Sequence, residues 1–172
     1  MSHSPREREE LIRRYEEGPG KLADALAKVP KEALQWRPGP DRWSVHEVIC
    51  HCADSETNGA MRIRYLVCEE SPLIVGYDQE RWAKVIDYHS LPLEPALALV
   101  VAVRQHTAGL LRRLSSDAWG RTGKHTESGG LSAERWLEIY AEHLEKHSRQ
   151  IERNLEAWHA EDTHPSKKGV VA

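Results

Sequence analysis

The sequence predicts an all-α fold, a four-helix bundle with a long crossover between its second and third long helices. Three observations carry that expectation. Four stretches repeat apolar residues at the three- and four-residue intervals of one helical face. Clusters of proline and glycine separate those stretches. No segment alternates apolar and polar residues over a strand's length, and no Asn-Gly hairpin turn occurs. Long amphipathic helices in a chain of 172 residues bury their apolar stripes by packing on one another.

The first helix begins near Arg6, with Leu11, Ile12 and Tyr15 on one face. Gly18-Pro19-Gly20 interrupts the pattern, which resumes at Leu22, Ala25, Leu26 and Val29, so a kink or step is expected at the glycines. Pro30 ends the helix, and residues 31–43 read as a loop with at most one helical turn. Ser44-Val-His-Glu47 has the form of a capping box, in which serine and glutamate each satisfy the other's free amide. The second helix is therefore expected from Val45 to about Glu70, stopped by Ser71-Pro72. The 72–92 connection is long enough to cross the bundle and leaves room for a parallel placement of the helices it joins. Within it, the stretch from Tyr77 to Ile86 reads as a short surface helix capped by Asp78. The third long helix opens after Pro92 and runs to about Leu114. The glycines at 120, 123, 129 and 130 mark a loop, and Ser132 caps a fourth helix from Ala133 to about Trp158. Residues 1–160 are expected to form one domain and 161–172 a frayed tail.

Composition narrows the function. Apolar residues make up 40% and charged residues 30%, with a net charge of −3 and the basic residues spread along the chain. A basic stripe for nucleic acid is absent from the pattern. The longest apolar run, Ala96 to Val103, is too short to span a bilayer, and Met-Ser-His-Ser-Pro-Arg-Glu contains no export signal core. A cytoplasmic location, no nucleic acid and no membrane are the expectations. Cys50, Cys52 and Cys68 contain no Cys-x-x-Cys pair and read as buried thiols.

The histidines are the chemical signal. His143 and His147 are one helical turn apart, about 40° apart around the axis, and can share one transition metal. Two ligands leave a metal underbound, and the same pair on a charged helix also reads as a solvated surface pair. His51, in the second helix, offers a third imidazole. Glu47, Asp54, Ser55, Asn58 and Arg62 lie within about 60° of it on the helical wheel. That polar face suits either solvent or the wall of a polar cavity. Rival motifs fail on spacing. His46-Glu-Val-Ile-Cys-His51 has one residue too many for the His-Glu-x-x-His zinc pair. The Glu-x-x-His of a di-iron bundle occurs only as Glu156–His159, near the end of the last helix. Paired cysteines for a zinc finger are absent.

Taken together, Trp36-Arg-Pro, Trp43-Ser-Val-His-Glu-Val-Ile-Cys-His51-Cys-Ala-Asp-Ser-Glu56, Arg121-x-Gly-x-His125-x-Glu-x-Gly129 and Tyr140-Ala-Glu-His143-x-x-x-His147-x-x-Gln-Ile resemble the DinB/YfiT-like family, in order and over nearly the whole chain. The resemblance implies an up-down-down-up bundle, often a homodimer. It also implies a divalent transition metal, zinc or nickel, held by His51, His143 and His147. Its members are labelled metal-dependent hydrolases, and a subset resembles thiol-S-transferases that use bacillithiol or mycothiol. A non-catalytic metal-binding bundle is the third possibility. A metal would make a bound water acidic near neutral pH or hold a thiol as thiolate. Glu47 and Asp54 are the nearest candidates on the second helix for a general base or for orienting an imidazole. Asn58, Arg62 and Arg104 are candidates for polar contacts near the metal. Relatives often carry His-Pro-Glu where this chain has His125-Thr-Glu127, so His125 reads as a substrate contact, a supporting group or a plain loop residue.

Overall fold

A computed structural model describes residues 3–163. Its long helices are α1 (Pro5–Leu26), α2 (Val45–Cys68), α4 (Leu93–Leu111) and α5 (Ala133–Thr163), with a short α3 (Gln79–Ile86) in the crossover. Partner residues fix the directions. Ion pairs from Arg8 to Glu134, Arg14 to Glu145 and Lys28 to Glu152 climb α1 and α5 together, so these two run parallel. Arg104 meets Glu56 and Thr107 meets Arg64, so α2 and α4 also run parallel. Between the pairs the order reverses: Asn154 reaches back to Trp43 while Tyr140 reaches Ser55, and Arg112 pairs with Glu16. The topology is up-down-down-up.

The caps hold as the sequence predicts. Ser44 Oγ accepts from the Glu47 amide, the Glu47 carboxylate accepts from the Ser44 amide, and Asp78 caps α3. Ser132 Oγ accepts from the Arg135 amide at 3.0 Å. Ends differ by a few residues: α4 stops at Leu111, and α5 continues to Thr163. The expected tail therefore begins as helix over 161–163, and its remainder lies outside the described residues.

One expectation gains detail and another needs correcting. First, the Gly18-Pro19-Gly20 interruption falls inside one helix, α1, and its consequence is a local one. Pro19 has no amide hydrogen, so the Tyr15 carbonyl loses its helical partner. That carbonyl accepts instead from Nη1 of Arg104 on α4. Gly18 makes room for the same guanidinium, since a Cβ there would lie 2.6 Å from Nη1. Second, the structure contains a small sheet. β2 (Thr122–His125) and β3 (Gly129–Ser132) form a hairpin, and β1 (Leu73–Ile74) pairs in parallel with β2. Strands of two to four residues, half of them glycine in β3, are too short for alternation to show in the sequence. Ile74 O accepts from Thr126 N at 3.0 Å, which ties the crossover to the hairpin before α5.

The bundle interior has two apolar clusters. Ile12, Tyr15, Ile63, Leu66, Ala108, Leu111, Trp136 and Leu137 fill one, and Leu22, Val48, Ile49, Cys52, Val100, Leu144 and Ile151 fill the other. Between them lies a charged layer made by Glu56 and Arg104, both fully buried. Cys50 and Cys52 are buried thiols, whereas Cys68 is exposed. No helix among the described residues is long and apolar enough to cross a membrane.

Candidate metal centre

The Ser44 capping box fixes the start of α2 and so the rotation that turns His51 inward. The antiparallel run of α5 then brings His143 and His147 across from it. A close approach at Gly59 permits this, because a Cβ there would stand within 3.0 Å of the Tyr140 ring, one turn before His143. Ring centroids lie 5.6 Å apart for His51 and His143, 4.9 Å for His51 and His147, and 4.6 Å for His143 and His147. One nitrogen from each lies within 4.8 Å of the other two. The structure thus brings together the three histidines that the sequence singled out, two turns into α2 and at mid-length of α5.

Hydrogen bonds decide which nitrogens are free. His143 Nδ1 lies 2.7 Å from Glu56 Oε1, and His147 Nδ1 lies 2.9 Å from Gln150 Oε1. Both acceptors require a donated proton, so each ring keeps its Nε2 lone pair for a ligand. His51 is 2% exposed, and its buried Nδ1 has no hydrogen-bond partner. A buried polar atom without a partner calls for an explanation, and a metal shared with His143 and His147 would supply one here. Trp43 packs its ring 4.7 Å from His51 and is held in turn by Asn154 and Glu80.

Burial keeps His51 and His147 neutral. Burial, followed by the neighbouring His147 and His143, drives the His51 pKa down to about 2. Burial and then His143 drive that of His147 down to about 4. Neutral imidazole is the ligand form, and a set of three histidines with open positions suits a late first-row divalent metal. The residues present therefore fit the metal.

The carboxylate bonded to a cluster imidazole is Glu56. Burial works to raise its pKa, but the Arg104 guanidinium and then His143 outweigh burial and hold it below the ordinary carboxylate value. Glu47 and Asp54 are engaged elsewhere. Glu47 pairs with Arg37 and closes the capping box, with its pKa held down by those bonds against the effect of burial. Asp54 accepts from the Tyr88 hydroxyl at 2.6 Å. Of the polar candidates, Arg104 is bound to Glu56, Arg62 donates to the Val75 carbonyl over the Tyr77 ring, and Asn58 donates to the Asp54 carbonyl. His125 is buried, and its Nδ1 accepts from the Glu127 and Ser128 amides, which makes it the cap of the hairpin turn. Ser44 and His89 lie 2.8 Å apart, but that hydroxyl is buried and already caps α2.

Helical-wheel reasoning missed Glu56 because it falls about 140° from His51 and reaches α5 from another face. A signal for it exists in the sequence. Glu56 shares a face with Cys52 and Ile63, and Arg104 shares one with Val100, Ala108 and Leu111. A charge on an apolar stripe requires a buried partner.

Comparison with known proteins agrees with this geometry. Residues 14–151 match the profile of the DinB superfamily. A relative from Oceanobacillus iheyensis, named "Putative metal-dependent hydrolase OB0782", is 37% identical over 142 residues, 83% of this chain and 82% of its own. One from Halalkalibacterium halodurans, "Putative metal-dependent hydrolase BH0277", is 31% identical over 113 residues, 66% of each chain. Among solved structures, YfiT from Bacillus subtilis superposes with a TM-score of 0.86 at 26% identity, over 92% of this chain and 91% of its own. It is described as "a probable metal-dependent hydrolase with an unusual four-helix bundle topology". The chain belongs to the DinB superfamily.

Proposed function

We propose that this protein is a metal-dependent hydrolase of a small-molecule substrate, with zinc or nickel held by His51, His143 and His147. The observation that carries the reading is the convergence of three imidazoles, each with one nitrogen within 4.8 Å of the other two, beside a buried His51 Nδ1 that no protein group satisfies. When bound, the metal supplies Lewis-acid activation of a water and of the substrate oxygen. The chain's own residues do the rest. Glu56 and Gln150 hold the His143 and His147 rings with Nε2 turned away from their Nδ1 bonds. Trp43 covers His51 and excludes water from that side.

The test is a screen of ester and amide substrates, run beside bacillithiol, mycothiol and glutathione with electrophiles. Each assay compares native, chelator-stripped and zinc- or nickel-reloaded protein. The expected result is hydrolysis lost on stripping and regained on reloading. Hydrolysis that persists in stripped protein, or turnover only with a thiol, contradicts the reading.

A further inference from the structure

We infer that Glu56 and Arg104 are positioning residues for the metal site, forming a buried relay that locks the His143 imidazole in its ligating tautomer. The inference rests on the three-histidine reading above and extends it to a further residue of α2 and one of α4.

The geometry is complete on every link. Glu56 Oε1 takes the His143 Nδ1 proton at 2.7 Å and Arg104 Nη2 at 2.6 Å, while Glu56 Oε2 takes Arg104 Nε at 2.9 Å. The carboxylate thus faces the guanidinium through both oxygens, a bidentate arrangement that fixes its plane. Arg104 is held in turn by two backbone carbonyls, Tyr140 O at 2.8 Å and Tyr15 O, and lies 4.1 Å from the centre of the Tyr15 ring. Both charged residues are fully buried.

Such a pair is costly to bury, and an apolar pair of the same volume would serve packing as well or better. The surroundings are nonetheless shaped around it. Pro19 leaves the Tyr15 carbonyl without a helical donor, and Gly18 leaves the space that Arg104 Nη1 occupies. The side chain of Glu56 then spends its remaining capacity on His143, within one turn of His147. A carboxylate hydrogen-bonded to a ligating imidazole fixes the ring's orientation and raises its basicity. Packing alone has no use for that bond. Metal affinity does.

The experiment separates a positioning role from a structural one. Glu56→Leu leaves Arg104 buried without a counter-charge and can fail to fold, so it is compared with Glu56→Leu/Arg104→Met, which removes both charges and the acceptor of the His143 Nδ1 proton. Folding is read by circular dichroism and urea unfolding, Co(II) and zinc affinity by chelator competition, and the site by the Co(II) visible spectrum. The His143 tautomer is read from imidazole ¹⁵N shifts in metal-free protein. The relay predicts that the double variant folds with stability near the parent's. It also predicts that this variant binds Co(II) and zinc about 10- to 100-fold more weakly, with a changed Co(II) spectrum and loss of the fixed Nδ1–H tautomer. Parent-like affinity and tautomer in the folded double variant overturn the relay while leaving the three-histidine site intact. Failure of the parent itself to bind metal overturns the metal reading, and the tautomer in metal-free protein then still reports on the Glu56–His143 bond.

Discussion

Replacing Gly59 with alanine tests how the bundle brings the histidines together. Gly59 lies inside α2, and alanine in a helix interior gains about 1 kcal/mol over glycine from propensity alone. The new Cβ, however, would stand within 3.0 Å of the Tyr140 ring, which is 5% exposed and stacked on Trp136 at 4.7 Å. A buried ring held on both sides cannot yield like the end of a flexible chain, and overpacking of this kind costs about 1–3 kcal/mol or more. Gly109, inside α4, is the control, because a Cβ there meets nothing within 4 Å. Gly109→Ala keeps the propensity gain and pays no steric cost. The two variants should differ by about 1–3 kcal/mol, which for a domain of this size is roughly 2–12 °C in Tm. Thermal melts and urea titrations read the difference directly. Because Tyr140 precedes His143 by one turn, Gly59→Ala should also weaken zinc binding, whereas Gly109→Ala should not. A Gly59→Ala protein that melts at or above Gly109→Ala would refute the close approach of α2 and α5.

Other outcomes follow from the same geometry. In metal-free protein the His51 and His147 pKa values lie at about 2 and about 4, below their unfolded value of 6.5. Below pH 6.5 the unfolded chain therefore takes up protons that the folded chain refuses, so stability is full above 6.5 and falls as the pH drops. The fall levels near pH 4 for His147 and continues lower for His51, with a ceiling of about 2 kcal/mol per imidazole at pH 5. The held-down carboxylates, such as Glu145 at about 2, lose their contribution only at lower pH, so the interval from 6.5 to 5 isolates the histidines. Urea unfolding of the metal-free protein at those two pH values should show the loss, and a flat profile would count against buried neutral imidazoles. Ser44→Ala removes the hydroxyl that caps α2 and bonds His89, and should lower stability by about 1–2 kcal/mol in the same assay. No change would mean that the cap is redundant. Arg37→Ala breaks an ion pair whose arginine is half exposed, so its effect should stay below about 1 kcal/mol despite the short contact with Glu47. A larger loss would show that the buried Glu47 carboxylate depends on Arg37.

Much of this was legible in the residues. The capping box at Ser44, the proline stops and the apolar periodicity of α2 and α5 place the long helices to within a few residues, because these signals act locally. The histidine trio was legible as one pair at helical spacing plus a third ring on a polar face, and the family resemblance joined them. What the sequence concealed depends on tertiary partners. Gly18-Pro19-Gly20 reads as a kink or step, and nothing local shows that Arg104 arrives from α4 to take the carbonyl that Pro19 leaves free. The strands at 73–74, 122–125 and 129–132 are stabilised by pairing with one another, not by any pattern of their own. Glu56 looked like one acid among many on α2, and its bond to His143 appears only when α5 lies alongside.

Metal content tests the central claim most directly. The parent protein and the His51→Ala, His143→Ala and His147→Ala variants are loaded with zinc or nickel, desalted and analysed by elemental mass spectrometry, with circular dichroism confirming that each remains helical. The three-histidine site predicts that the parent retains metal and that every variant loses most of it. Full occupancy in any one of the folded variants would contradict it.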